Sequence, residues 1–454
     1  MTDFTKIDQY LTTHMDESIA ELSRLCAQPS VSAQNYGLKE CAALVGEMLK
    51  KRGFHVEVLA TAGAPVVFAE RRGRANKTML FYNHYDVQPA EPLELWETPP
   101  FEPTLRNGRL YARGVSDDKG HITNRLFSLD AMLAENGELP CNVKFIIEGE
   151  EETSSVHLHE FVAEHKARLA ADACIWESGG VDNQDHPQQS IGMRGICYVE
   201  LSVQTASQDV HSGLGGSIFP NAAWRLVWAL NTLKSPDEHI NLPGFYDKVR
   251  QPSARARQLL AQLPDDSAEL KQRYGLQGFL KGVTGGVDLR LQAVYQPTCT
   301  ICGLTSGYQG PGSKTVLPAK ASAKVDFRLV PDQEPEDVVK QLRAHLDTGG
   351  FSDVHIELLG GEAPAATDPD DPFIQLVVKT AAEIYDYPMQ VVPMIGGSGP
   401  NAIIQKAVNV PIALVGVGHP GSQAHAPNEN LRLDLYLRGA RHVTRILDAF
   451  SKAE

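Results

Sequence analysis

Long apolar runs are missing from this 454-residue sequence: the longest, Val410 to Gly418, is nine residues, against the roughly 20 that a membrane-spanning helix needs. An excess of positive charge is missing too. Lys and Arg number 42 against 56 Asp and Glu, and the formal charge of −14 repels phosphate backbones and anionic membranes, so neither nucleic acid nor membrane is expected as a partner. Cysteine is sparse. Seven residues (Cys26, Cys41, Cys141, Cys174, Cys197, Cys299, Cys302) form an odd, scattered set that excludes a disulfide framework. Cys299-Thr300-Ile301-Cys302 is a lone CxxC with no second pair to complete a zinc site, and it reads as two cysteines in a strand. Low-complexity tracts and internal repeats are absent, as is a basic segment leading into an apolar one near Met1; Ile7, Leu11, Met15, Ile19 and Leu22 instead recur at helical spacing. A cytoplasmic protein without a signal peptide is expected.

What is present is the usage of a folded globular chain, 42% hydrophobic and 22% charged. Its length exceeds the ~250 to 300 residues at which a single core stops growing, so two or three domains are expected. Met79 to Tyr82, Phe145 to Ile147 and Ile412 to Val415 are unbroken apolar runs, as in strands covered on both faces. Helical patterns lie between them at Leu38 to Lys51, Ile122 to Leu133, Phe373 to Tyr385 and Leu433 to Phe450, which predicts an α/β domain with a mostly parallel sheet flanked by helices. The middle of the chain differs. Cys197 to Gln204 and Ala319 to Leu329 alternate apolar with polar residues, as half-exposed antiparallel strands do, with helices predicted at Asn221 to Leu233, near Ala254 to Arg273 and at Pro335 to Leu346. We place this smaller α+β domain at residues 192–362, inserted into an α/β domain formed by residues 1–191 and 363–454.

Candidate chemistry falls after the predicted buried strands. His84 and Asp86 share a face at the carboxyl end of one, where ligands bind in open α/β sheets; a neutral imidazole there can hold a divalent metal while a carboxylate fixes its tautomer, although HxD alone equally suits a structural hydrogen bond. Asp117 and Asp118 open a helix, either as an N-cap or with one carboxylate bridging two cations. Glu148-Gly149-Glu150-Glu151-Glu152 follows the strand ending at Ile147, and four glutamates in five positions repel one another unless solvated or neutralised by cations. Glu177 and His425 follow two further strands. One sheet edge can therefore collect His84, Asp117, Glu152, Glu177 and His425, a nitrogen and oxygen set suited to zinc, manganese or cobalt and large enough for two ions sharing a bridge.

In combination, His84-x-Asp86-Val87-Gln88-Pro89, Arg113-Gly114-x-x-Asp117-Asp118-Lys119-Gly120, Glu148-Gly149-x-Glu151-Glu152, His211-Ser212-Gly213 and His425-x-x-Asn428-Glu429 resemble the carnosinase and cytosolic nonspecific dipeptidase branch of the co-catalytic zinc metallopeptidases. Aminoacylase, carboxypeptidase G and succinyl-diaminopimelate desuccinylase are more distant relatives. The resemblance implies a catalytic domain interrupted by a lid through which two subunits dimerise, and two divalent ions per subunit, zinc first, with manganese or cobalt as alternatives. It implies His84 and Glu177 as terminal ligands to different metals, Asp117 as the bridge, Glu152 on the Glu177-free ion and His425 on the Glu177-bound one. Asp86 would orient His84. Glu151 resembles the general base acting on a metal-bridging water, and His211 the oxyanion donor supplied to a partner subunit. Arg328 resembles a clamp on the substrate carboxylate, with Gly396 and Ser398 in a glycine-rich turn whose N–H groups can share that anion. Glu150 is left as solvated surface.

The implied activity is hydrolysis of the amide bond of dipeptides or other small peptides. Position 177 is commonly aspartate in the dipeptidase branch and glutamate in the carboxypeptidases and deacylases, which keeps an N-acyl amino acid deacylase or a carboxypeptidase open beside it. A non-catalytic binding protein on the same fold is the rival from another class; the presence of Glu151 and all five candidate ligands argues against it.

Overall fold

The computed structural model describes residues 2–453, which fall into two compact units. One comprises the chain up to Gly192, Ala366–Pro393 and the chain from Pro400; the other comprises Met193–Ala365 and Met394–Gly399.

The first unit is built on a nine-stranded sheet whose main path runs His55–Leu59, Val66–Arg71, Cys141–Glu148, Ala75–His84, Ala173–Trp176, Ile412–Leu414, Pro187–Ser190, Gln390–Val392. Its middle four strands are parallel and its first pairings antiparallel. The middle strands are buried on both faces because helices cover both: Met79, Leu80, Phe81 and Tyr82 are all fully buried, as are Ala173 to Trp176. Helix Lys119–Asn136 packs against helix Leu433–Lys452, and Leu38–Lys51 covers the outer strands. Lys119–Asn136 stops where Gly137 takes φ 73° and returns its N–H to the Leu133 carbonyl, a left-handed cap that glycine forms without a Cβ clash. The apolar spacing from Ile7 to Leu22, read as one run, is divided into Phe4–Thr13 and Met15–Ala27, with His14 between them at non-helical angles.

The second unit holds a four-stranded antiparallel sheet in the order Thr298–Ser306, Lys320–Leu329, Gly195–Gln204, His355–Glu362. Alternation decides its faces. Val199, Leu201, Val325 and Phe327 point into a core with Leu226, Leu230 and Leu342 from helices Ala222–Leu233 and Pro335–Thr348, and the intervening polar residues face away. The polar helical stretch expected near Ala254 to Arg273 is two helices, Ala254–Gln262 and Ser267–Tyr274, because Pro264 between them cannot continue the ladder. A further helix, Gly286–Tyr295, escaped the periodicity because only Leu291 in it is buried.

Residues 394–399, assigned from sequence to the α/β domain, cluster with the second unit. Arg194 donates its main-chain N–H to the Gly397 carbonyl, and Met193 bridges Ile395. All seven cysteines are free and six are buried, Cys302 being exposed; the CxxC pair lies within strand Thr298–Ser306. Among the described residues no helix is long and apolar enough to cross a membrane.

Candidate metal centre

Sheet register assembles the centre. His84 ends its strand opposite Glu148, and the chain leaving Glu148 turns at once through the short helix Glu151–Thr153. On the other side of Ala75–His84, Trp176 pairs with Leu414, so Glu177 and the loop that leads to His425 leave the same edge. Four adjacent parallel strands thus deliver their following residues to one place.

There the side chains form two trios, His84 with Glu151 and Glu177, and Asp117 with Glu152 and His425; within each, the ligand atoms lie within 4.8 Å of one another. Asp117 joins them. Its Oδ1 is 3.1 Å from His84 Nε2, and its Oδ2 is 3.0 Å from His425 Nε2. His84 Nε2 lies 3.4 Å from Glu177 Oε2, and His425 Nε2 lies 3.1 Å from Glu152 Oε2. Where the resemblance sets His84 and Glu177 on different ions, the side chains lie otherwise: His84 is beside Glu177 and one oxygen of Asp117, and His425 is beside Glu152 and the other. Glu177 follows one neighbour of the His84 strand, Glu151 and Glu152 follow the other, and His425 arrives on the loop after Ile412–Leu414.

Electrostatically the cluster is over-supplied with acid. Burial, with Asp117 and Glu152 adding to it, pushes Glu151 well above the usual carboxylate range. Burial does the same to Glu177, helped by Glu151 and Asp118. His425 is pushed up to about 10 by its hydrogen bonds to Asp117 and Glu152. Burial opposes charge on His84, yet Glu177, Asp117 and Asp86 hold its imidazole above its ordinary range. By itself the chain balances this acid with the cations in reach, two imidazoles and bound protons. Glu177 Oε2 is buried without a hydrogen-bond partner, an orphaned acceptor that a cation would satisfy. Donors of nitrogen and oxygen with no thiolate, facing one shared carboxylate, fit divalent ions.

The supporting residues carry as much of the geometry. His84 Nδ1 donates to the Asp86 carbonyl at 3.0 Å and lies 3.3 Å from the Asp86 carboxylate, which turns Nε2 toward Asp117 and Glu177. The same carboxylate accepts the N–H groups of Glu151 and Glu152. Gln88, quoted in the motif without a role, donates Nε2 to Glu152 Oε2 at 2.8 Å. Glu429 is fully buried and accepts from Gly114, Ser116 and Asp117 N–H and from Arg113 Nη1, fixing the loop that presents Asp117. Asp118 makes no helix cap; its Oδ2 accepts from Asn83 Nδ2 and from the His84 N–H. Motif membership was the available signal for all of these. Glu150 is not solvated surface: its Oε2 is 2.8 Å from His157 Nδ1 and its side chain is 16% exposed.

The remaining candidates belong to the second unit. Arg328 donates Nε to Asp326 at 3.1 Å and Nη1 to Ser398 Oγ at 2.9 Å, leaving Nη2 without a partner among the described residues. Asp326 lies on the strand face of Arg328, where the two-residue spacing puts it. Gly396 is exposed in the turn beside Ser398. His211 is exposed at the start of Ser212–Gly215, and its Nδ1 accepts the Gly213 N–H at 3.0 Å, so the neutral ring carries its proton on Nε2.

Residues 80–449 match the family model described as Peptidase family M20/M25/M40. The chain belongs to this metallopeptidase family. A solved M20 metallo-carboxypeptidase, Sso-CP2 from Sulfolobus solfataricus, superposes with a TM-score of 0.92 at 35% identity, covering 96% of this chain and 100% of that one. The di-peptidase Dug1p of Saccharomyces cerevisiae gives 0.85 at 25% identity over 99% of both chains. By sequence, the Beta-Ala-His dipeptidase of Mus musculus is 27% identical over 96% of this chain and 93% of its own. As an M20 family member the chain is a peptidase-class hydrolase that depends on divalent metal, and its mixed sheet flanked by helices is the family's architecture.

Proposed function

We propose that this peptidase hydrolyses free dipeptides using two divalent ions, zinc first among them, held on opposite oxygens of Asp117. The observation that carries the reading is that each oxygen of Asp117 meets its own histidine, and each histidine its own glutamate, His84 with Glu177 and His425 with Glu152. Bound ions supply the positive charge that acidifies water and polarises the amide carbonyl. Glu151 is the general base. It takes a proton from the attacking water as the carbon–oxygen bond forms, and it delivers that proton to the departing amine nitrogen as the carbon–nitrogen bond breaks. Asp86 keeps this machinery in register by holding His84 and the Glu151–Glu152 turn together. Arg328, set by Asp326 and Ser398, offers a free Nη2 for a substrate carboxylate, and the N–H groups of the turn at Gly396 supplement it. His211 offers Nε2–H to the developing oxyanion.

A homodimer through the second unit completes the reading, with His211 serving the partner subunit. An apolar groove of about 460 Å³ between Ala222–Leu233 and the edge strand Thr298–Ser306, flanked by exposed Trp224, Trp228, Ile301 and Leu304, supports it.

Hydrolysis of a panel of free dipeptides beside their N-acetylated counterparts and N-acyl amino acids, with metal supplied, tests the function. Cleavage of the free dipeptides is expected, and cleavage of the blocked compounds alone would overturn it. A carboxypeptidase or N-acyl amino acid deacylase is the second reading. It is favoured by glutamate at 177 and by the higher identity to the Sulfolobus carboxypeptidase than to either dipeptidase.

A further inference from the structure

Beside Asp117 the first unit opens a pocket of about 340 Å³. Its walls are the loop that follows Glu177 and the loop that precedes His425, stitched together by the Gly418 N–H on the Gly179 carbonyl and the Val181 N–H on the Gly418 carbonyl. The seam is rigid and admits no side chain: a Cβ on Gly180 would stand 1.9 Å from the Gly418 oxygen. The cavity is therefore walled by the same backbone that carries two candidate ligands, and anything seated in it lies next to Asp117.

Its lining sets several side-chain hydroxyls and one amide among mostly apolar surface. Ser116 (7% exposed) and the half-buried Ser178 and Ser190 present hydroxyls with no hydrogen-bond partner among the described residues. Gln188 and Ser190 alternate with the buried Pro187 and Gln189 along their strand, which turns both toward the cavity. Gln188 gives its amide nitrogen to Gln390 and keeps its carbonyl oxygen. Sheltered donors and acceptors left unmatched favour a ligand that matches them and reject an isostere that does not.

We propose that this pocket receives the side chain on the acyl half of the substrate, the residue whose carbonyl is attacked, and selects polar hydrogen-bonding side chains up to about the size of glutamine over apolar ones of equal volume. The inference rests on the hydrolase reading above: the substrate's carboxylate is assigned to Arg328, which leaves the pocket for the acyl side.

The test is kcat/KM of the zinc-loaded protein on X-Ala dipeptides in near-isosteric pairs, Thr against Val, Asn against Leu and Gln against Met. The polar member should lead by about tenfold in each pair. Ser178→Ala with Ser190→Ala should shrink that lead to less than about threefold, and Ser190→Leu should exclude the longer Gln and Met while still admitting Thr and Val. Equal rates within the pairs, or a lead untouched by either variant, would overturn the assignment. If no free dipeptide is cleaved, the dipeptidase reading fails and the pocket is judged by the same ratios with N-acyl amino acids whose acyl chains differ only in polarity.

Discussion

The two units handle charge in opposite ways. In the first, carboxylates are gathered closely, Glu151 and Glu177 are pushed up by burial, and one oxygen of Glu177 is left without a hydrogen-bond partner. In the second, the critical charge is settled within the protein: Arg328 is held by one acid and one hydroxyl, and the buried Arg194 gives its guanidinium to the carbonyls of Ala293, Gln296 and Arg328. The difference teaches where each region needs its ligand. A centre with surplus acid is completed by cations, and removing one of its members changes what it binds. An arginine already satisfied on two sides is only aimed, and if it holds the substrate as proposed, its removal should weaken substrate binding without disturbing the metals.

Substitutions separate the two behaviours. If Glu151 is the general base as proposed, Glu151→Gln should lower kcat about 10²- to 10⁴-fold while metal content stays at the parent level; loss of metal in that variant would make Glu151 a ligand instead. Arg328→Met should raise KM roughly 10- to 100-fold with a smaller change in kcat, and the effect should vanish for substrates with an amidated carboxyl terminus. Asp326→Asn, which loosens the aim of Arg328 without deleting it, should raise KM by only about threefold to tenfold. A last comparison keeps acid effects on the centre apart from acid effects on the fold. Burial holds the His442 imidazole neutral, with its pKa lowered to about 4. The unfolded chain takes up that proton near 6.5, so the stabilisation is whole above pH 6.5 and is lost as pH falls toward 4. At pH 5 the loss is about 2 kcal/mol, and His442→Gln should flatten that limb of a denaturation profile while leaving the pH dependence of kcat in place.

Much of this was legible in the residues. The apolar runs at Met79, Phe145 and Ile412 could only be strands buried on both faces, and acids or histidines placed just after them could only meet at one edge. The insertion showed itself through a change of period, from helix-alternating strands to the strict alternation of Cys197 to Gln204. What escaped was whatever depended on neighbours in space. Which histidine lies beside which glutamate depends on where the loops run, and no spacing along the chain reveals that Ala173–Trp176 and Cys141–Glu148 lie on either side of Ala75–His84. The break at His14 and the helix Gly286–Tyr295 escaped because the periodicity was unbroken in the first case and nearly featureless in the second. Gln88, Asp118 and Glu429 were visible as motif members, but their work is done through main-chain and carboxylate contacts that only the folded chain shows.

The account stands on Asp117 serving two ions at once, and metal stoichiometry tests it most directly. Metal-free protein titrated with zinc and analysed by mass spectrometry under native conditions should take up two ions per chain and release protons as it does so. His425→Ala should keep one ion, and Asp117→Asn should retain neither at concentrations that saturate the parent. A parent that saturates at a single ion, or an Asp117→Asn variant that still binds two, would contradict it.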